Sequence, residues 1–108
     1  MTWKLVFLDK AIEDLNKLSG NQKIQVTKII RRVLLNPLPN YEGGYGKPLG
    51  NVRNVDLSNC LKIKLKKAGI RIVYKLEKTE SQMLVIVIGA RRDNEVYDEA
   101  LKRITELE

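Results

Sequence analysis

The segment that decides the fold is residues 61–74, LKIKLKKAGIRIVY, in which apolar and basic residues alternate on both sides of a turn. Successive side chains of a β-strand point to opposite faces, so the first half of this segment has one apolar face and one lysine face. Ala68-Gly69 marks the turn, after which the alternation resumes. The segment therefore predicts a β-hairpin that packs its apolar face on a core and presents a basic face.

Regular elements precede this hairpin in the chain. Residues 2–8 alternate as a strand does, and apolar residues then recur at helical spacing from Leu8 to Leu18 and from Val26 to Leu34. A short joint between the two helical segments predicts an antiparallel helical hairpin. The residues expected to bound these helices are Asp9 as a cap of the first, Gly20 as its end and Pro37 as the stop of the second.

The remaining segments complete an α+β domain. Residues 37–54 are rich in Pro and Gly and predict a long loop, while the unbroken apolar run 83–88 predicts a strand buried on both faces. Apolar spacing from about Asp93 predicts a last amphipathic helix. The expected order is β-α-α-β-β-β-α, an antiparallel sheet with an N-terminal helical hairpin and a C-terminal helix, forming one domain over residues 1–108.

Composition excludes several classes of site. The chain has 108 residues, 20 basic and 13 acidic, no histidine and a single cysteine, Cys60. Catalysis by Ser-His-Asp or Cys-His groups and His-ligated zinc are therefore impossible, and we expect no metal and no cofactor. No apolar run approaches the ~20 residues of a membrane span, and the start of the chain lacks the pattern of a secretory signal. We expect a cytoplasmic protein that does not bind membranes and whose net charge of +7 favours polyanionic or acidic partners.

The positive charge is concentrated in one part of the chain. Residues 60–92 contain nine basic and two acidic residues, whereas residues 93–108 contain two basic and six acidic residues. A turn of two or of four residues in the hairpin would place Arg71 on the lysine face. Like charges facing each other are destabilising, so this face predicts an anion-binding surface. The alternative is that the lysine stems simply extend into water.

Crowded cations have a chemical use in RNA cleavage. A lysine near other cations has a lowered pKa and can act as a base, and an arginine can hold phosphate oxygens in a bidentate contact. Cleavage of RNA by its own 2′-hydroxyl needs a base, cations at the phosphate and a plane that holds the splayed nucleobase. Arg91 and Arg92 follow the last predicted strand, and Tyr97 lies near the start of the last helix. From its helical spacing alone, Tyr97 fits a core residue better than a stacking platform.

Two blocks of the sequence resemble the toxins of the RelE family. Residues 59–74, NCLKIKLKKAGIRIVY, resemble the central hairpin of that family, and residues 87–97, VIGARRDNEVY, resemble its last strand, basic residue and "E-V-Y" helix start. Asn36-Pro37 and Lys47-Pro48-Leu49 also fit. The resemblance implies a RelE-like, microbial-ribonuclease-type fold over nearly the whole chain.

The resemblance also implies a function and roles for individual residues. RelE toxins belong to type II toxin–antitoxin systems and cut mRNA in the ribosomal A site without a metal ion, inhibiting translation. By motif, Lys62 would bind phosphate, Lys64 would act as general base or stabilise charge, and Arg71 would contact the phosphate. Arg91 would stabilise the transition state or assist the leaving 5′ oxygen, and Tyr97 would stack on a base. Three further residues are expected to bind RNA: Lys66, Lys67 and Arg92.

The implied partners are a cognate RelB-like antitoxin, mRNA, and the ribosome at its A site with 16S rRNA. Operator DNA would be bound only through the antitoxin. Ala90 stands where some family members carry a basic residue. Two other functions remain open at this point: a ParE-like poison of DNA gyrase, and an RNA-binding module without catalysis. The gyrase poison is disfavoured by the joint presence of Lys62, Lys64, Arg71, Arg91 and Tyr97.

Overall fold

The computed structural model describes residues 2–52, 55–90 and 93–107. Within these ranges, five strands form one sheet and three helices pack against it. The elements are β1 (Lys4–Phe7), α1 (Asp9–Asn16), α2 (Gly20–Leu34), β2 (Lys47–Val52), β3 (Val55–Leu65), β4 (Ile70–Glu77), β5 (Gln82–Gly89) and α3 (Asp93–Leu107). Short 3-10 turns at Asn40–Glu42 and Lys78–Glu80 complete the described chain.

The α+β class is confirmed, and the sheet differs from the prediction in one pairing and one strand. Its order is β1-β5-β4-β3-β2, and β1 runs parallel to β5, whereas the other neighbours are antiparallel. Strand β2 lies inside the segment 37–54 that the sequence predicted as a loop. Pro48 and the glycines lower the strand propensity of that segment, but an edge strand tolerates a proline because one side of it needs no hydrogen-bond donor.

The helix boundaries also differ from those expected. The N-cap of α1 is Leu8, with no side-chain hydrogen bond, and Asp9 is instead the first helical residue. Gly20 begins α2 rather than ending α1. The reason is a capping box: the Ser19 hydroxyl accepts from the backbone N–H of Gln22, and the Gln22 side chain accepts from that of Ser19. These bonds satisfy two of the free donors that begin a helix and set the start of α2 at this point.

The sheet separates two apolar cores. Helices α1 and α2 cover one face, where residues such as Ala11, Val26 and Ile30 pack on the apolar side of β3. Helix α3 covers part of the other face through Val96, Tyr97 and Ala100. The predicted burial of the run 83–88 on both faces is therefore confirmed.

An irregularity in the pairing of β5 places two consecutive residues of its apolar run on the same face. Val73 pairs with Val87 and Tyr74 pairs with Val85, so Ile86 is an extra residue on β5. As a result Ile86 and Val87 both belong to the core beneath α3, although they are consecutive.

A buried arginine fastens α3 to the rest of the protein. Arg103 is 7% exposed, and its guanidinium donates to Asp14 Oδ2 at 2.6 Å, to Glu99 Oε2 at 2.8 Å and to the Ile86 carbonyl at 2.8 Å. Asp14 of α1 also accepts from the backbone N–H of Ile88, at 3.1 Å. Because β1 pairs with β5 only as far as Val85, these side chains satisfy backbone groups that the short β1 leaves free. In the described part of the chain, no helix is both long enough and apolar enough to cross a membrane.

Candidate active site

The hairpin turn places two predicted site residues face to face. Lys64 on β3 pairs directly with Arg71 on β4, and Leu65 pairs with Ile70, which leaves four residues in the turn. Gly69 ends that turn with φ of +68°, a conformation that glycine adopts without steric cost. The expected position of Arg71 on the lysine face is confirmed, in the register of a four-residue turn. Directly opposed side chains start about 5 Å apart, so two cations lie side by side here.

The same row continues onto β5. Arg71 pairs on its other side with Gly89, which has no side chain to cover the guanidinium. Arg71 Nη1 also donates to the Gly69 carbonyl at 3.4 Å, which holds the side chain near the turn. The row therefore runs from Lys64 through Arg71 to Gly89, the last residue of β5, and makes this end of the sheet cationic.

Lys62 and Tyr97 meet one row further from the turn. The Lys62 ammonium lies 5.4 Å from the centroid of the Tyr97 ring, close enough for a cation–π interaction. Tyr97 is only 9% exposed and belongs to the core beneath α3, so the structural role suggested by its spacing is present. Its hydroxyl is buried, and none of the described residues hydrogen-bonds with it. Burying a hydroxyl without a hydrogen bond lowers the stability of the fold. A residue that carries such a group typically has a role other than stabilisation.

The other predicted residues lie around this cluster or outside the described chain. Lys66 and Lys67 are exposed in the turn, beside Gln25 of α2. Arg91 and Arg92 lie outside the described residues, so their predicted roles have no structural description. In sequence they stand between Gly89-Ala90 at the end of β5 and the start of α3.

One cation of this face was missed by the sequence argument. Lys47, on the edge strand β2, pairs directly with Lys62. The sequence pattern predicts a loop for its segment, and a loop has no defined face. The available signal was the stretch Lys47-Pro48-Leu49, which is too short and too irregular to reveal the period of a strand.

Two neighbouring groups have structural roles. Tyr74 is fully buried, and its hydroxyl donates to the Pro37 carbonyl at 2.7 Å, tying the segment after α2 to the sheet. Burial raises the pKa of Tyr74 well above its usual value, so this hydroxyl stays protonated as a donor. Cys60 is 3% exposed in the core beneath α3, as expected for a packing residue.

The arrangement suits a phosphate with its flanking nucleosides better than a metal ion. Lysine and arginine supply only donors and positive charge, which stabilise anions and developing negative charge. In the described ranges, no three Asp, Glu or Cys side chains form a cluster able to hold a metal.

Known proteins resemble this chain over almost its full length. The curated mRNA interferase toxin RelE of Escherichia coli strain K12 is 33% identical over 104 residues, covering 96% of this chain and 99% of the relative. This chain is a member of the RelE toxin family. No family model matches the sequence.

Solved structures of RelE agree with this membership. A free E. coli RelE variant with two arginines replaced by alanine aligns with a TM-score of 0.73 and 31% identity, covering 96% of this chain and 99% of that one. RelE in the intact E. coli RelBE toxin–antitoxin complex aligns with a TM-score of 0.65 and 26% identity, covering 83% and 98%. The RelE-like fold implied by the two sequence blocks is therefore confirmed.

Proposed function

We propose that this protein is an mRNA interferase, the toxin of a type II toxin–antitoxin system, which cleaves mRNA in the ribosomal A site. Its 108 residues would act as a single toxin domain in the cytoplasm, where translation takes place. The observation that carries the proposal is the cationic row Lys64–Arg71, with Lys62 beside Tyr97 on the same face, in a member of the RelE family. The name of the E. coli relative, an mRNA interferase toxin, supports the same activity.

The proposed reaction is attack of a ribose 2′-oxygen on the adjacent phosphorus. The new O2′–P bond forms as the P–O5′ bond breaks, leaving a 2′,3′-cyclic phosphate and a 5′-hydroxyl. Lys64 would take the 2′ proton or stabilise the charge that develops, and Arg71 and Lys62 would hold the phosphate oxygens. Arg91 would stabilise the transition state or assist the leaving 5′ oxygen, which takes up a proton from water to become the 5′-hydroxyl. Lys66, Lys67 and Arg92 would bind the flanking RNA backbone.

The role of Tyr97 requires a local rearrangement. A nucleobase stacks on an aromatic face, and here the Lys62 ammonium lies over that ring. Stacking would therefore displace the Lys62 side chain from the ring. The displaced Lys62 ammonium would remain near the phosphate that it is proposed to bind. The same movement of Lys62 would therefore allow the base to stack on Tyr97 and the ammonium to contact the phosphate.

Dependence on the ribosome follows from the chemistry of this cluster. Without histidine, the protein lacks a side chain whose ordinary pKa lies near neutrality, so acid–base catalysis alone is weak. Positioning of the reacting atoms can supply much of the missing rate, and the A site, including 16S rRNA, would hold the mRNA in a reactive geometry.

A RelB-like antitoxin is the proposed regulatory partner. The RelBE complex of E. coli has a toxin of the same fold. An acidic amphipathic antitoxin segment would lie over the basic hairpin or displace α3, whose own segment, residues 93–108, is acidic. Operator DNA would be bound only through the antitoxin. Affinity that falls as salt is added would support the electrostatic part of this proposal, and a contact map that avoids both elements would contradict it.

The decisive experiment maps mRNA ends in a translation extract. Primer extension on a defined mRNA should show cuts within codons when ribosomes are present and few cuts in the same RNA alone. Arg71→Ala and Arg91→Ala should each lower the rate by roughly 10²- to 10³-fold because each removes a cation from the transition state. Lys4→Ala, which removes an exposed lysine at the far edge of the sheet, is the matched control and should cut normally.

Other results would contradict the proposal in distinct ways. Intact mRNA together with altered plasmid supercoiling would indicate a ParE-like gyrase poison. RNA binding without any cleavage would indicate a non-catalytic RNA-binding module. Full activity of Arg91→Ala would remove that residue from the site. Antitoxin binding should be largely retained in Arg91→Ala, which separates a catalytic loss from misfolding.

A further inference from the structure

We propose that Lys47 binds an RNA backbone phosphate, so that the phosphate-binding surface extends from the hairpin onto the edge strand β2. The proposal rests on the proposed nuclease function and adds to it a residue that positions the RNA. With a phosphate bound at Lys47, the RNA would cross the sheet over β2, β3 and β4 in turn. It would not be confined to the hairpin of β3 and β4.

The pairing of β2 places Lys47 on the face of the proposed site. Lys47 pairs directly with Lys62, and opposed residues of an antiparallel pair point to the same face. Lys62 itself lies over the ring of Tyr97, a residue of the core beneath α3, which identifies that face independently. The side chain of Lys47 is exposed, so its ammonium is accessible to a ligand.

The charges around Lys47 favour an anionic ligand. Within the described ranges, neither Lys47 nor Lys62 has an ion-pair partner within 4 Å, although carboxylates elsewhere pair with Lys10, Lys78 and Arg103. Two lysines directly opposite each other repel. A backbone phosphate next to the scissile one would replace that repulsion by an attractive contact to Lys47 and leave Lys62 at the scissile phosphate. Neighbouring strands lie about 5 Å apart, so the two ammonium groups can reach consecutive phosphates.

The backbone before Lys47 is held in place by a close approach to the sheet. A side chain at Gly46 would overlap the Tyr74 hydroxyl and the Leu61 side chain, so only glycine fits there. The Gly46 carbonyl accepts from the Asn40 N–H at 2.8 Å, and its N–H donates to the Leu38 carbonyl at 3.2 Å. These contacts fix where β2 begins, so that binding does not require ordering of the backbone at Lys47.

The chain offers a matched control for an ordinary solvated lysine. Lys4 is also exposed and lies on the opposite edge strand, where it pairs with the uncharged Gln82. Its neighbour Val6 packs against the core beneath α3, so Lys4 shares the face of Lys47. The two lysines therefore differ chiefly in their position relative to the cationic cluster.

The test is direct RNA binding as a function of salt. The probe is a short single-stranded RNA with 2′-O-methyl groups, which cannot be cleaved by 2′-oxygen attack, and binding to the whole protein is measured by fluorescence anisotropy. We expect Lys47→Ala to raise Kd roughly threefold to tenfold. The slope of the logarithm of the association constant against the logarithm of the salt concentration is negative, and we expect its magnitude to fall by about 0.7. Lys4→Ala should keep the wild-type slope, and Lys47→Arg should restore it. Removing one of two opposed cations should leave the thermal stability equal or slightly higher.

The outcomes separate this inference from the proposed function. A slope for Lys47→Ala that equals that of Lys4→Ala would overturn the role of Lys47, even in a protein that cuts mRNA. Absence of wild-type binding to the probe at low salt would overturn it as well. Lys47-dependent binding without cleavage would instead refute the nuclease and keep Lys47 as an RNA contact. In the ribosomal assay, Lys47→Ala should raise KM more than it lowers kcat, because a backbone contact remote from the cut serves both states equally.

Discussion

The two halves of α3 treat their buried polar groups in opposite ways. Near its start, Tyr97 buries a hydroxyl that finds no hydrogen-bond partner in the described structure, beneath a lysine. Near its end, Arg103 is equally buried, yet it donates to two carboxylates and a backbone carbonyl. The first half leaves the Tyr97 hydroxyl without a hydrogen bond from the described residues, beside the candidate site. The second half gives the charged guanidinium of Arg103 several hydrogen-bond acceptors.

This difference separates a functional end of the helix from an anchoring end. The apolar contacts of Val96 and Ala100 hold the helix on the sheet, but apolar packing alone does not select a single rotation or register. Arg103 fixes both, because its planar guanidinium must meet Asp14 and the Ile86 carbonyl together. Because Arg103 anchors the helix, the fold can tolerate the buried Tyr97 hydroxyl that lacks a hydrogen bond from the described residues at the functional end.

Loss of the Arg103 anchor should produce the largest effect. Arg103→Met leaves Asp14 and Glu99 without their cation, and removal of one partner from a buried pair costs about 3–5 kcal/mol. We expect the free energy of unfolding, measured by denaturant titration, to fall by that amount. Lys102→Met, at an exposed neighbouring position, should change it little. A loss for Arg103→Met no larger than that of the control would show that the buried pair does not anchor α3.

The charge of Arg103 should persist across the accessible pH range. Burial lowers the pKa of Arg103, but hydrogen bonds from its guanidinium to Asp14 and Glu99 outweigh this effect and raise the pKa above its usual value. Stabilisation by a group with a raised pKa is complete below the ordinary arginine pKa and is lost only as the pH rises through the higher value of the folded protein. The penalty of Arg103→Met should therefore show no decline as the pH is raised from 7 to about 10.

Tyr97→Phe tests the functional end and should have a smaller effect of opposite sign. Removal of the unpartnered hydroxyl relieves a desolvation cost, so the free energy of unfolding should rise by roughly 1 kcal/mol. The ring that would stack on a base is kept, and mRNA cleavage should persist, whereas Tyr97→Ala should impair it. A clear loss of stability in Tyr97→Phe would mean that the hydroxyl has a partner and would remove the contrast with Arg103.

The exposed pair between Lys10 and Glu106 should give the smallest effect. Lys10 Nζ lies 3.0 Å from Glu106 Oε2 and forms a second link between α1 and α3. This hydrogen bond lowers the pKa of Glu106 below its ordinary value. A lowered pKa means that the stabilisation is present above the ordinary glutamate pKa and disappears as the pH falls through the lower value in the folded protein.

Glu106→Gln should therefore lower the melting temperature slightly at pH 7, and less in strong acid. The difference should also shrink in high salt, since both side chains are about half exposed and the pair is screened. A difference that persists unchanged in strong acid would show that Glu106 acts through packing instead of through its charge.

Much of the candidate site could be predicted from the hairpin sequence. Alternation assigns Lys62, Lys64 and Arg71 to one face, and turns of two or of four residues lead to the same result, so the prediction required only an even number of turn residues. The sequence blocks that resemble RelE predicted the family, and this membership is confirmed. The roles of the individual residues remain predictions, and those of Arg91 and Arg92 fall outside the described residues.

The sequence by itself determined which residues of the hairpin share a face, because side chains alternate with spacing along a regular strand. It determined the basic character of the hairpin and the absence of histidine chemistry in the same way. Only the tertiary structure decided which separate segments become neighbours. The pairing of Lys47 with Lys62, the parallel pairing of β1 with β5 and the burial of Arg103 against Asp14 each join residues far apart in sequence. Such contacts depend on the packing of whole elements, which no local pattern encodes.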